Sequence, residues 1–367
     1  MANSNLTNAK KAKNDEFYTQ YLDIEKEVNA YLEYNPDVFK GKTILLPCDD
    51  PEWSSFTRFF AKNFKKLKLK KLVSTSYAEE SKNLKSGYNA SFFEKESPEY
   101  DKNKTKKNGK IFTLTRDRSG DGKIDVDDLE WEYLKGDGDF RSDEIKKLRD
   151  EADVIITNPP FSLFRPFLGW IMEAKKQFLI IGTLNAITYK EVFPLLKENK
   201  IWLGNNYKIN GGAMFYEIPE SIANLAQVRE IKTNKNGQKV YITRVQGVRW
   251  FTNLEHGRLH QPLQLMTEAE VVRFVTKKPF EKYDNYGAIE VSLVKNIPKD
   301  YKGVMGVPIS FLDKYSPEQF EIVGATESEG KGFSEGLWDE TSKVSQPLVG
   351  NERVYKRIFI RHKKKTK

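Results

Sequence analysis

The stretch "KTILLPCDDPEWSSFTRFFAKNF", residues 42–64, decides how the rest of the chain is read. The apolar run Ile44-Leu45-Leu46 stops at Pro47. Cys48 and the adjacent carboxylates Asp49 and Asp50 follow, then Pro51 and a segment with amphipathic helical spacing from about Trp53 to Phe64. A short apolar run bounded by a turn signal reads as a buried strand. A strand handing over to a helix is where open α/β sheets place their ligands. This turn holds no glycine, so it offers no phosphate-cradling loop. Taken alone, the carboxylates establish no more than a helix cap, with Asp50 before Pro51 at a natural first helical position.

The same grammar recurs in "DVIITNPPFSLF", residues 153–164. Val154-Ile155-Ile156 form a buried strand, and Asn158-Pro159-Pro160-Phe161 leaves its carboxyl end. Consecutive prolines fix φ and remove two backbone donors, so the loop presents carbonyls. Asn158 adds a side-chain carbonyl, and Phe161 a flat apolar face. Two acceptors beside a stacking platform suit a planar ring bearing an exocyclic amine. Such an amine is a poor nucleophile because its lone pair is delocalised into the ring. Accepting hydrogen bonds from both its protons favours a tetrahedral nitrogen and aims the lone pair at an electrophile. Positioning, with no strong base, then supplies most of the rate. The plainer reading, Pro-Pro merely ending a strand, is weakened by the aromatic after it and the apolar strand before it.

Further strands, "KKLVSTSY" (70–77), "KQFLIIGTL" (176–184) and "IWLGN" (201–205), alternate with helical segments such as "EFYTQYLDIEKEVNAYL" (16–32) and "DEIKKLRDEA" (143–152). That alternation predicts an α/β, doubly wound sheet. Residues 81–110 are Lys-rich and weakly patterned, and an insertion is expected over about 81–130. There "IFTLTR" (111–116) and "LEWEYLKGDGDF" (129–140) flank a loop. After about residue 205 the rhythm changes. "GQKVYITRVQGVRWFTNL" (237–254) reads as paired strands preceded by an Asn236-Gly237 hairpin turn. "FEIVGA" (320–325) and "YKRIFIRHKKK" (355–365) read as late strands, the latter with a basic tail. No solenoid-like repeat is present.

With 367 residues the chain can hold two domains, and its net charge of +9 favours an acidic partner, nucleic acid before membrane. One cysteine excludes an intramolecular disulfide framework. Of three histidines, His256 and His260 are spaced to share a helix face, without a metal-protease motif between them. No apolar h-region or membrane span is present, so a soluble, cytoplasmic protein with no membrane partner is expected. "DRSGDGKIDVDD" (117–128) mimics a calcium loop, with Asp117, Ser119, Asp121, Asp125 and Asp128 at ligand spacing and Gly122 at the turn. The strand-like residues before it favour a hairpin or insertion loop, and no metal is expected.

"TNPPFSLFR" (157–165) resembles the catalytic motif of S-adenosylmethionine-dependent amino-group methyltransferases. The wider chain resembles the EcoRI-type DNA adenine-N6 methyltransferases. That resemblance rests on "NDEFYTQYLDIEKE" (14–27), "CDDPEWSSFTRFF" (48–60), "YLKGDGDFRSDE" (133–144), "FLIIGTLNAITYKEVFPLLKENKIWLG" (178–204), "WFTNLEH" (250–256), "YDNYGAIEV" (283–291), "DYKGVMGVPISFLDKYSPEQFEIVG" (300–324) and "YKRIFI" (355–360). It spans nearly the whole chain apart from 81–130 and part of 220–245.

The resemblance implies a class I methyltransferase (Rossmann-like) mixed sheet with a C-terminal target-recognition region. Residues 1–14 would be a flexible basic N-terminus, 15–220 the S-adenosylmethionine-binding catalytic domain, and 221–367 the recognition region. It implies a cofactor site at Phe17, Thr19, Cys48, Asp49, Asp139, Phe140 and Asn158. Asp49 would accept from the cofactor's α-ammonium while Asp50 caps the helix. Asp139, at the third cofactor strand, would accept from the adenine amine, and Phe140 would pack on that ring. A ribose ligand is missing from its usual place, since Glu79 and Glu80 fall late. Catalysis would fall to Asn158, Pro159, Pro160 and Phe161, with Phe215 a second aromatic wall around a flipped base. The implied substrate is adenine N6 in double-stranded DNA, in the setting of a paired restriction endonuclease with no direct contact. RNA or protein amide methylation by the same loop, and a catalytically idle DNA-binding module, remain the alternatives.

Overall fold

The computed structural model describes residues 18–47, 49–51, 54–78, 100–205, 213–218, 228–233, 239–326, 333–334, 336–339, 341–342 and 344–364. It divides into two compact units, Met1–Thr183 with Asn206–Leu254, and Leu184–Asn205 with Glu255–Lys367. These units do not follow the division at residue 220 read from the sequence: 206–254 groups with the first and 184–205 with the second.

The first unit is built on β2 (Thr43–Leu46), every residue of which is buried. It lies between β3 (Lys71–Ser76) and β6 (Val154–Thr157) and is parallel to both. β7 (Gln177–Thr183) runs parallel to β6. Strands covered on both faces read as continuous apolar runs, which is why this part was legible. β4 (Lys110–Leu114) and β5 (Glu130–Tyr133) continue the sheet antiparallel beyond β3. β12 (Val248–Thr252) adds antiparallel to β7, giving the order β5-β4-β3-β2-β6-β7-β12. The chain is a mixed α/β protein of the predicted class I kind. The helix after β2, α2 (Ser55–Lys62), buries Phe56, Phe59 and Phe60. Further helices are α1 (Tyr21–Tyr34), α3 (Lys102–Lys107), α4 (Asp143–Glu151) and α5 (Phe164–Glu173). α5 buries Phe164, Phe167, Leu168 and Ile171.

A second sheet in this unit has the order β1-β9-β11-β10, from β1 (Tyr18–Thr19), β9 (Ala213–Ile218), β10 (Val228–Thr233) and β11 (Lys239–Gln246). Two sequence expectations change here. The predicted helix over 16–32 begins only at Tyr21, because Tyr18 and Thr19 pair with Glu217 and Tyr216. The residues read as paired strands over 237–254 belong to different sheets. β11 pairs with β9 and β10, while β12 pairs with β7. Gly247, at φ +70°, turns the chain between them, a conformation only glycine adopts without strain. The Asn236-Gly237 turn lies outside the described residues.

The second unit holds β8 (Trp202–Leu203), α6 (Phe193–Lys197), α7 (Glu268–Val271) and a sheet ordered β13-β14-β18-β15. Its strands are β13 (Ile289–Glu290), β14 (Met305–Pro308), β15 (Phe320–Ala325) and β18 (Arg357–His362), with a small hairpin of β16 (Leu348–Val349) and β17 (Glu352–Arg353). The late strands read at 320–325 and 355–365 are β15 and β18. Arg357 makes a 2.7 Å ion pair with Glu290, and the Tyr283 hydroxyl donates to the same carboxylate. His256 and His260 do not converge. Buried His256 donates from Nε2 to the Leu203 carbonyl at 3.1 Å, and burial pushes its pKa down to about 4. His260 Nδ1 is 2.6 Å from Glu318.

One close approach in the first unit fixes the loop after β5 against the end of β3. Gly138 sits at φ +90°, and a Cβ there would lie 2.4 Å from the Ser76 carbonyl oxygen at the end of β3. The Ala78 N–H donates to the Asp137 carbonyl at 2.8 Å, joining loop and strand end. Gly138→Ala is therefore expected to destabilise the protein by about 1–3 kcal/mol, from the disfavoured φ and the backbone clash together. A denaturant midpoint equal to that of the parent would contradict the approach.

Candidate active site

Parallel pairing of Ile44 with Val154 and Leu45 with Ile155 brings the carboxyl ends of β2 and β6 side by side. Both loops singled out in the sequence leave the sheet there. Thr157, the last residue of β6, is 1% exposed. Its hydroxyl reaches the Pro47 carbonyl at 2.9 Å and Asp49 Oδ2 at 2.5 Å. One proton is shared between two acceptors, and the carboxylate is the stronger of them.

Asp49 is 7% exposed. Its Oδ1 accepts from the Ser54 hydroxyl at 2.8 Å. Its backbone carbonyl accepts from Thr57 Oγ1 at 2.9 Å and from the Ser74 hydroxyl, and these two hydroxyls lie 3.0 Å apart. Hydroxyls from α2, β3, β6 and the turn before α2 thus fix this residue. The expected division of labour is corrected in one half. Ser54, not Asp50, caps α2: its hydroxyl accepts from the Phe56 N–H at 3.1 Å. Asp50 contributes its carbonyl, which accepts from the Ser54 N–H at 2.7 Å. Four residues separate Asp50 from the first turn, so its carboxylate is not the cap.

Asn158 is half-buried and Pro159 buried. Pro160, at φ −51° and ψ 127°, is extended and leads into a 3-10 turn over Phe161–Leu163 that runs directly into α5. The Pro160 carbonyl accepts from the Leu163 N–H at 2.8 Å, closing that turn. Phe161 is 7% exposed and belongs to the apolar core of this unit.

Asp139 and Phe140 lie in the loop between β5 and α4, beside the end of β3 rather than on a strand. Asp139 binds Arg141 through Oδ1 to Nε at 2.9 Å and Oδ2 to Nη2 at 2.5 Å. That guanidinium holds the Asp139 carboxyl below the usual carboxylate range. Phe140 is buried, its ring edge-on to Phe167 at 5.0 Å and Trp170 at 5.6 Å. In this geometry its ring anchors the loop to α5.

Thr19 in β1 is buried, and its hydroxyl has no hydrogen-bond partner among the described residues. Thr19 pairs with Tyr216, so the N-terminal motif lies along the strand that carries Phe215. Met214 and Tyr216 are buried in the core while Phe215 is half-buried, which puts Phe215 on the other face of β9. Phe17 and Cys48, with Glu79 and Glu80, lie outside the described residues.

Sequence reasoning missed Thr157, Ser54, Thr57 and Ser74. Isolated Ser and Thr carry no pattern, and only the fold brings these four to one residue, two to the Asp49 carboxylate and two to its backbone carbonyl.

The chain matches the family model "Adenine-specific methyltransferase EcoRI" over residues 5–363. It is 42% identical over 321 residues to Type II methyltransferase M.EcoRI of Escherichia coli, covering 88% of this chain and 89% of that one. It is 34% identical over 360 residues to Type II methyltransferase M.MgeORF184P of Mycoplasma genitalium, covering 96% and 97%. It is 36% identical over 316 residues to Type II methyltransferase M.MpnI of Mycoplasma pneumoniae, covering 86% and 83%. No solved structure matches it significantly.

The carboxylates of the 117–128 loop bond its own backbone. Asp117 accepts from the Gly120 and Gly122 N–H groups at 2.7 and 2.9 Å, and Asp121 from Lys123 at 2.8 Å. Asp125 accepts from Asp127 at 3.0 Å. Asp128 accepts from Arg118, Ser119 and Asp125 at 2.8, 2.8 and 3.1 Å. Ser119 Oγ sits 3.4 Å from Asp117. Among the described residues no three His, Cys, Asp or Glu side chains gather as metal ligands. The backbone donors, that of Ser119 first, pull Asp128 down to about 2. The stability that its ionised form contributes is complete above the unfolded value of 3.8 and is lost as pH falls toward 2. Asp128→Asn should lower the melting temperature by several degrees at neutral pH, with the deficit shrinking toward pH 2. Neither calcium nor chelator should move the parent's melting temperature, and a chelator-sensitive melt would assign the loop a cation.

Proposed function

Because the chain belongs to the EcoRI family of adenine-specific methyltransferases, we propose that it transfers the methyl group of S-adenosylmethionine to the N6 amine of an adenine flipped out of duplex DNA. Family membership makes it a DNA adenine methyltransferase that draws on a methyl donor. No helix among the described residues is long and apolar enough to cross a membrane. The names of its relatives support a Type II, site-specific activity of the restriction-modification kind.

The observation that carries the residue roles is the adjacency of the two strand ends, with Asp49 bonded to the residue before Asn158. A hydroxyl-fixed carboxylate beside a prolyl loop rich in carbonyls is a set of acceptors. It suits a cationic ligand better than a phosphate. S-adenosylmethionine fits that set, and when bound it supplies a methyl group made electrophilic by a sulfonium. Asp49 would receive the ligand's ammonium, and the buried Thr19 hydroxyl and Asp139 would be further acceptors for it. Asp139 keeps its charge through Arg141 and so accepts from an amine.

On the substrate side, the Asn158 side-chain carbonyl and the Pro159 carbonyl accept the two amine protons and orient its lone pair. Pro160 is committed to its own turn, which leaves Pro159 as the backbone acceptor in this role. Phe161 is the apolar floor beneath the base, and Phe215 would supply a second aromatic wall. No side chain must remove a proton before attack. The rate comes from orientation and from fixed acceptors that strengthen as the nitrogen gains positive charge.

The test is methylation by the purified protein on duplex DNA, RNA and protein, with the modified nucleoside identified by mass spectrometry. N6-methyladenine in duplex DNA is expected, and label only on RNA or protein would overturn the reading. Asn158→Ala should lower single-turnover transfer by about a thousandfold. It should leave DNA binding within about twofold, because phosphate contacts made elsewhere dominate affinity. Equal loss of transfer and binding would refute its assigned role.

A further inference from the structure

The two loops of the site belong to separate strands, and something must set one against the other. The β2–β6 ladder pairs Ile44 with Val154 and Leu45 with Ile155. Two residues on, both chains turn out of the sheet, and the Thr157 hydroxyl spans the gap to Pro47 and Asp49. Donor and carboxylate are both buried, at 1% and 7% exposure, so little water competes for the bond. A bond to a carboxylate in such surroundings is stronger than an ordinary one. Thr157 is also bonded covalently to Asn158. A β-branched side chain in a strand has few rotamers, so its hydroxyl is held in direction as well as place.

We propose that Thr157 is a positioning residue for methyl transfer: its hydroxyl locks the Asp49 carboxylate to the strand end that carries Asn158, so that methyl donor and amine acceptor share one register. The proposal rests on the reading of Asp49 and Asn158 given above. It gives Thr157 no contact with either substrate. It differs from a packing role in one respect, since packing needs the shape of the side chain and positioning needs its oxygen. Valine keeps the shape and serine keeps the oxygen.

Thr157→Val is expected to weaken S-adenosylmethionine binding about tenfold by calorimetry, the scale of one lost charge-assisted bond. It should also slow single-turnover methylation by about tenfold to a hundredfold at saturating cofactor, because a displaced acceptor loses rate even when the donor is bound. Thr157→Ser should stay within about threefold of the parent in both. The reverse order, with valine harmless and serine impaired, would reduce the residue to packing and overturn the proposal. So would equal damage from both substitutions.

A second measurement does not depend on activity. Denaturant stabilities of Thr157→Val, Asp49→Asn and the double variant form a cycle. A coupled cycle supports the link, and additive effects overturn it. An enzyme that methylated no DNA would refute the assigned function, while the cycle would still decide whether Thr157 and Asp49 are joined.

Discussion

A carboxylate with almost no exposure, held by neutral hydroxyls, is the constraint around which the site is arranged. Burying the charge of Asp49 would be costly without hydrogen bonds to it. Ser54 and Thr157 provide them, and Thr57 and Ser74 hold its carbonyl. Ser54 serves twice, donating to Asp49 and accepting from the Phe56 N–H, so the start of α2 and the place of the carboxylate are set by one oxygen.

The elements that were legible in the sequence are those whose surroundings are uniform. β2, β6 and β7 are buried along their lengths, so apolar runs betrayed them. Asn158-Pro159-Pro160-Phe161 was legible because proline limits the backbone whatever surrounds it. The hydroxyls were not, since a threonine at the end of a strand looks the same whether it meets solvent or a carboxylate more than a hundred residues away. Asp50 was read as the cap from its neighbour Pro51, a local signal. The helix starts later, and the serine immediately before it takes the role. The strands over 237–254 failed for a related reason: period-2 alternation identifies a strand and says nothing about its partner. A single glycine with positive φ sends β11 and β12 to different sheets.

Beside the end of β3, the 137–139 loop is held largely by backbone approach and aromatic packing, with the Asp137 carboxylate accepting from the Asp139 N–H at 3.1 Å. Gly138 and Gly109 approach the Ser76 carbonyl too closely for any side chain, with 2.4 and 2.5 Å to a notional Cβ. Phe140 is sunk among Phe167 and Trp170. Backbone contact and aromatic packing place the loop, which releases Asp139 from any structural duty except its pair with Arg141. The resemblance gave both Asp139 and Phe140 to the cofactor. In the structure the ring packs in the core and the Asp139 carboxylate is 24% exposed.

The proposed transfer requires no catalytic base before attack. The amine of an adenine needs no deprotonation before attack, so a site built from acceptors can raise its reactivity by geometry alone. Geometry of that kind is useful only if the acceptors cannot relax. Pro159 and Pro160 are rigid by covalent structure, the Pro160 carbonyl is engaged by Leu163, and Thr157 is bonded across to the neighbouring strand. A base could tolerate some freedom, since a proton is transferred over any hydrogen bond the base can reach. An orienting acceptor cannot, because its whole effect is directional. The density of hydroxyl bonds under these two strand ends is what an orienting mechanism demands of the fold.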